Sequence, residues 1–287
     1  MKKYITLGLI MMVLFVSSFN VISNSNNEEN YNLKTYEQNN TSFTNTVFLE
    51  ETTATWCPNC PTAAEALYNI YQSGNISFYY VALVDDMNII AKERSLDYCF
   101  GLYKIRAFPT VYLDGGYINM VGRGRDVNET ELEYRSLLEQ AEQRASRKPI
   151  IMESSVIWND NAKLTVSITI TNQGNSLYIG KIRSYVTEIE SRWLDYKGNP
   201  YHFGFLDFAL DKFIFLMPGG SKTLTGTFDG KSNHGGQTYS DITSDNIMVI
   251  STISNLMPHY SIGYQSDEYT QRYFAFYVDQ TTAATPN

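Results

Sequence analysis

The sequence predicts an α/β domain followed by an all-β sandwich. Three observations predict it. Between residues 46 and 147, strand-like apolar runs alternate with helical periodicity, the pattern of an α/β layout. Past Pro149 the helical periodicity vanishes, and residues 162–171 alternate apolar and polar without a fault, as a half-buried strand does. Short apolar runs then recur between clusters of Gly, Pro and Asn, the spacing of packed antiparallel strands.

The ends and the charge set the context. A length of 287 residues suggests about two domains. The net charge of -8, with no Lys/Arg cluster, argues against a nucleic-acid surface. Lys2 and Lys3 precede an apolar run over 5–16 and then Ser17 and Ser18, so residues 1–23 are expected to be a signal peptide. Phe19, Val21 and Ile22 extend the apolar stretch, which leaves an uncleaved anchor as the alternative. No cysteine lies nearby to take a lipid. Residues 24–45 are an Asn-rich linker with overlapping sequons at Asn39 and Asn40; others stand at Asn75 and Asn128. An extracytoplasmic place is expected: secreted, periplasmic or cell surface.

The elements follow in order. Val47, Phe48 and Leu49 open a strand. A helix runs from the cysteines at 57 and 60 to about Gln72, and Ser73, Gly74 and Asn75 end it. Residues 78–84 are unbroken apolar, as a strand buried on both faces requires. A helical segment covers 88–103 and a strand 110–113. Asp114, Gly115 and Gly116 turn the chain into a strand over 117–121. Asn128 and Glu131 have the capping spacing for a helix that buries Tyr134, Leu137, Leu138, Ala141 and Ala145. The domain boundary is placed at 147/148, with the sandwich over 148–280 and a tail over 281–287. Its further strands are expected at 151–157, 181–190, 204–216, 221–228, 247–253 and 272–279, an Ig-like pattern without an inter-sheet disulfide. Residues 229–246 read as an exposed loop.

The chemistry centres on Trp56, Cys57, Pro58, Asn59 and Cys60. Two cysteines three apart at a helix start can bridge, and the helix dipole favours the thiolate, which is the nucleophile. Pro58 suits the first helical position. Zinc is a rival, but it needs more ligands, and the chain offers only Cys99, His202, His234 and His259 besides. A static disulfide is the other rival; closing so short a loop constrains the unfolded chain little. Cys57 is therefore read as the attacking thiol and Cys60 as the resolving one.

These residues resemble the thioredoxin-like family over roughly a third of the chain. The resemblance rests on Trp56 before the cysteine pair, on Glu51 six residues before Cys57, on Tyr103, Ile105, Arg106, Ala107, Phe108, Pro109 and Thr110, and on Gly115 and Gly116. The Pro-Asn dipeptide between the cysteines departs from the family's Gly-Pro, and the stretch from the cysteines to Pro109 is longer. The whole chain also resembles secreted proteins that join such a domain to a β-sandwich. The resemblance implies a catalytic Glu51 that relays a proton to Cys60, with Glu50 turned to the opposite, outer side. It implies a cis Pro109 against the cysteines, Phe108 pairing its backbone with substrate, and Trp56 packed beside the pair.

The expected function is thiol–disulfide exchange with cysteine-containing extracytoplasmic proteins and a redox partner. It needs no metal or organic cofactor. The alternative is a cell-surface binding or adhesion protein whose cysteines form a permanent bridge. Cys99 is expected to be buried. Gly122, Arg123, Gly124 and Arg125 fit either an anion site or a turn. The aromatic-rich stretch 201–215 fits core packing better than a binding face.

Overall fold

The computed structural model describes residues 46–99, 107–265 and 270–287. The expected leader and linker, the sequons at Asn39 and Asn40, and Tyr103, Ile105 and Arg106 lie outside the described residues.

Strand β1 (Val47–Thr53) is buried at every position. Alternate residues of a strand face opposite sides, so β1 must be covered twice. On one face Val47 and Leu49 pack with Ala63, Ala66, Leu67 and Ile70 of helix α1 (Cys60–Ser73) and with Tyr134 and Leu138 of α3 (Val127–Glu142). On the other, Phe48 packs with Ala91 of α2 (Ile89–Leu96), Tyr185, Phe205 and Val278. Parallel to β1 runs β2 (Phe78–Val84); antiparallel to it runs β3 (Thr110–Leu113), which turns into β4 (Ile118–Val121).

The sheet does not stop at β2. Ala82 pairs with Gly204 of β8 (Pro200–Leu216). A Cβ at Gly204 would meet Ser191 Oγ at 2.3 Å, so glycine there leaves room for the Ser191 side chain. Strand β8 pairs in turn with β7 (Tyr178–Leu194), and β7 with β10 (Ile247–Gln265), which pairs with β11 (Thr270–Ala284). The result is one eight-stranded sheet in the order β11-β10-β7-β8-β2-β1-β3-β4. A second sheet of β5 (Ile150–Trp158), β6 (Lys163–Asn172) and β9 (Ser221–Asp229) covers the later strands. Leu164, Val166, Ile168 and Ile170 of β6 meet Ile182, Val186, Leu210, Ile214 and Val249 across that interface.

This overturns the expected fold class. Among the described residues strands hold 51% and helices 18%. A thioredoxin-like α/β domain followed by a separate Ig-like sandwich is not what forms. The helices decorate one end of a large sheet that runs on into the β-rich half, because β2 offers its outer edge to β8 instead of ending the sheet. The individual strands were legible: each expected run from 151 to 279 falls inside an observed strand, except that the 162–171 run starts one residue before β6.

Three smaller expectations are also corrected. The cap of α3 is Asp126, whose side chain accepts the Glu129 amide, rather than Asn128. Ala145 is exposed, since α3 ends at Glu142. The 229–246 segment is not wholly exposed: Tyr239 and Ile242 are buried in the main core, beside Phe228 and Trp193.

Candidate functional site

Cys57 and Cys60 form a disulfide, with Cα atoms 5.5 Å apart. The local chain explains the closeness. Cys57 N–H donates to Ala54 O at 3.1 Å and Cys60 N–H to Cys57 O at 3.3 Å. These are two successive tight turns, so the helix begins only at Cys60, with Pro61 in its first turn. The expectation that Cys57 starts the helix and that Pro58 is its first-turn proline is thereby shifted by three residues. Asn59, the N-cap, makes no side-chain cap, because Arg123 Nη2 takes its Oδ1 at 3.0 Å. The positive end of the α1 dipole is left without a side-chain cap next to the sulfurs. Arg123 otherwise binds the carbonyls of Gly124 and Arg125, so the Gly-Arg-Gly-Arg segment forms a turn that also fixes the dipeptide between the cysteines.

Both cysteines are nearly shut from solvent, Cys57 at 3% and Cys60 at 0% exposure. They pack with Ala54 and Phe108. The Phe108–Pro109 bond is cis, as expected, and Pro109 is buried. Trp56 is 61% exposed and meets Phe108 edge-on at 5.8 Å. It is therefore no core filler; it stands at the rim of the disulfide with its ring open to a visitor.

Glu50 and Glu51 are both fully buried. The expectation that only one of them faces inward fails because both faces of β1 are covered. Glu50 lies on the α2 face and is saturated. Arg94 donates Nε to Oε1 at 2.7 Å and Nη2 to Oε2 at 2.6 Å. Tyr185 donates to Oε1 at 3.0 Å, and the Tyr98 hydroxyl makes a very short bond to Oε2. Burial works against the Arg94 charge, but Glu50 and the neighbouring tyrosines more than offset it.

Glu51 lies on the opposite face, in line with Val47 and Leu49 and therefore on the α1 side. Among the described residues neither of its oxygens meets a hydrogen-bonding partner. Burial, with a further push from the Asp195 charge, moves its carboxyl up from 4.5 to about 8. An acid held neutral near pH 7 in a dry site can give or take a proton there. Asp195 sits in the β7–β8 turn, where its Oδ1 accepts the Lys197 and Asn199 amides at 2.7 and 2.9 Å.

Sequence reasoning missed what the β-rich half brings to this place. Tyr201 of β8 is fully buried. It accepts from Thr53 Oγ1 at 3.0 Å and donates to Ala54 O at 3.1 Å. No local signal marks Tyr201 or Asp195 in the sequence, since Tyr201 meets the Ala54 carbonyl, and Asp195 acts on Glu51, only through the β2–β8 join. Cys99 is buried, as expected, and its thiol points toward Ser95 O at 4.0 Å. The 201–215 stretch divides: Tyr201, Phe203 and Phe205 are core, while Phe213 and Phe215 are exposed.

No family model matches the sequence, and no curated protein matches it either. Among solved structures, HBP35 of Porphyromonas gingivalis is similar over 85% of this chain and 76% of its own length. The TM-score is 0.57 and the identity 14%, so the likeness is one of fold alone. A structural-genomics protein from Agrobacterium tumefaciens aligns over 84% of this chain and 94% of its own, at 16% identity and a TM-score of 0.45. A β-glucosidase from Listeria innocua aligns over 45% of this chain and 16% of its own, with 14% identity and a TM-score of 0.27. Those two scores are too low to support any functional parallel. The thioredoxin-like assignment made from the motifs is corrected here as well. The structural likeness spans both halves of a mostly β chain and does not single out an α/β domain.

Proposed function

We propose that Cys57 and Cys60 are a redox-active pair that exchanges disulfides with cysteine-containing proteins outside the cytoplasm. The observation that carries this reading is Glu51: a buried acid with no hydrogen-bonding partner among the described residues, on the face of β1 covered by α1, the helix whose start carries the disulfide. A staple needs no such acid, and leaving a buried polar group unsatisfied is costly. Perturbed acids of this kind cluster at working sites.

In the reducing direction, the Cys57 thiolate attacks a substrate disulfide. A Cys57–substrate S–S bond forms, the substrate S–S bond breaks, and the leaving sulfur takes a proton from solvent. Cys60 then attacks the Cys57 sulfur and releases the second substrate thiol. Two electrons pass to the substrate, and the Cys57–Cys60 bond is restored. The minor carboxylate form of Glu51, present just below its pKa of about 8, accepts the Cys60 proton as that thiol becomes a nucleophile, and the acid returns it when the pair is next reduced. Trp56 and Phe108 offer an aromatic rim to the substrate chain.

Trapping tests the roles. Cys60→Ser accumulates a covalent complex with substrate that reductant dissolves, and Cys57→Ser accumulates far less, read on non-reducing gels from the native compartment. Trapping by Cys57→Ser alone would reverse the assignment.

The second reading is a surface-binding protein with a permanent bridge. It is favoured by the exposed Phe213, Phe215, Tyr260, Phe274 and Phe276 on β8, β10 and β11. A reduction potential below about −300 mV supports that reading instead.

A further inference from the structure

The carbonyl of Ala54 is the hinge of the cysteine turn. It accepts the Cys57 N–H at 3.1 Å and, from the other side, the Tyr201 hydroxyl, also at 3.1 Å. Tyr201 is itself held, because its oxygen accepts from Thr53 Oγ1 at 3.0 Å. Ala54 packs directly on both cysteines. A continuous relay thus runs from Thr53 at the end of β1, through a tyrosine supplied by the β-rich half, to the amide of Cys57. All of its members except Thr55 and Trp56, which lie within the turn, are buried.

We infer that Tyr201 is a positioning residue for the Cys57–Cys60 pair: the hydroxyl that β8 contributes fixes the Ala54–Cys57 turn and so sets how readily the two sulfurs close into a disulfide. This rests on the redox reading proposed above. The physical reason is preorganisation. Closing a disulfide between two thiols already held in place loses little freedom, so whatever tightens the turn favours the bridged form. With the hydroxyl removed, Ala54 O keeps a single donor and Thr53 loses its acceptor. The turn then loosens most in the dithiol state, where no S–S bond holds it. The dithiol form gains, and the pair becomes easier to reduce.

The assignment also gives the eight-stranded sheet a purpose. The single β2–β8 bridge at Ala82 and Gly204 places Tyr201 three residues from the join. The same hairpin carries Asp195, the charge that bears on Glu51. The β-rich half is then part of the site, not a separate appendage.

The test is a redox titration of the full chain against glutathione, with wild type, Tyr201→Phe and Tyr178→Phe compared. Tyr178 is a control: it is a buried tyrosine whose hydroxyl bonds Asp279 at 3.0 Å, on the same β7–β8 pair but away from the cysteines. Tyr201→Phe is expected to shift the dithiol–disulfide equilibrium about tenfold toward the dithiol, a rise of about 30 mV. Both variants are expected to lower the melting temperature to a similar extent, but Tyr178→Phe leaves the equilibrium unchanged. If Tyr201→Phe moves the equilibrium no further than Tyr178→Phe does, while the wild-type pair exchanges freely, the role of Tyr201 is wrong and the redox reading stands. If the wild-type pair resists glutathione altogether, it is the redox reading that fails.

Discussion

The two faces of β1 carry adjacent glutamates with opposite fates. Glu50, on the α2 face, meets Arg94, Tyr98 and Tyr185 and has no capacity left over. Glu51, on the α1 face, is just as buried and meets no partner among the described residues. The first is what a buried charge needs in order to be tolerated: a bidentate guanidinium and hydroxyls on both oxygens. The second is a charge site denied everything that would support ionisation, so it stays neutral until well above the usual carboxylate range. Burial alone therefore does not say what an acid is for; its partners do.

The largest effect should come from breaking the saturated face. Glu50→Gln keeps the shape but takes away the buried counterion of Arg94, leaving only the more exposed Asp97, whose Oδ2 lies 2.9 Å from Nη1. A loss of about 3–5 kcal/mol is expected from urea denaturation. A loss below 1 kcal/mol would mean that the Arg94–Glu50 pair is not the anchor of that face.

Glu51→Gln should do the reverse, and only at high pH. The Glu51 carboxyl stands at 4.5 when the chain is unfolded and at about 8 when it is folded. The unfolded chain thus loses its proton first, and wild-type stability falls as pH rises from about 4.5 to about 8. Asp114 contributes a similar fall, but between about 4 and 6, and His202, whose imidazole burial pushes down from 6.5, contributes a rise that is complete once the unfolded imidazole is neutral, so the fall above about pH 6.5 and up to 8 belongs to Glu51. Around Glu51 the charged and titratable groups are Asp195, Tyr80, Tyr134 and Tyr201; the tyrosines are all raised and stay neutral through this window. The variant should match wild type below about pH 4.5 and exceed it by on the order of 4 kcal/mol at pH 9. It should also exchange disulfides more slowly at pH 7. A stability curve parallel to wild type from pH 6 to 8 would show that Glu51 does not titrate there.

The smallest effect sharpens the comparison from a distance. Asp195→Asn removes the one acidic charge that pushes Glu51 upward. Its amide oxygen can still accept the Lys197 and Asn199 amides, so the turn should survive. The midpoint of the stability fall should move down by less than about one pH unit, because burial is the larger cause. An upward move would reverse the sign assigned to Asp195.

How much of this was legible varies with the range of the interaction. Cys57, Cys60, Pro109 and the strand runs are local patterns, and each could be read off the chain. Glu51 was reachable only by its spacing from Cys57, and the reason given for choosing it over Glu50 was incomplete. Alternation correctly says that the two side chains point apart. It cannot say that both sides are covered, since the α2 face is closed by Tyr185, Phe205 and Val278 from far along the sequence.

By itself the sequence determined what neighbours along the chain can determine. Period-two alternation made the strands, Gly74 with its left-handed φ of 64° ended α1, and two cysteines three apart made the bridge. The tertiary structure alone decided that β2 joins β8, that one sheet replaces two domains, that Tyr201 holds the Ala54 carbonyl and that the Asp195 charge bears on Glu51. Strand alternation fixes which face a residue occupies. The partner strand, and hence whatever lies against that face, is chosen by pairing between segments more than a hundred residues apart, and no local pattern encodes that choice.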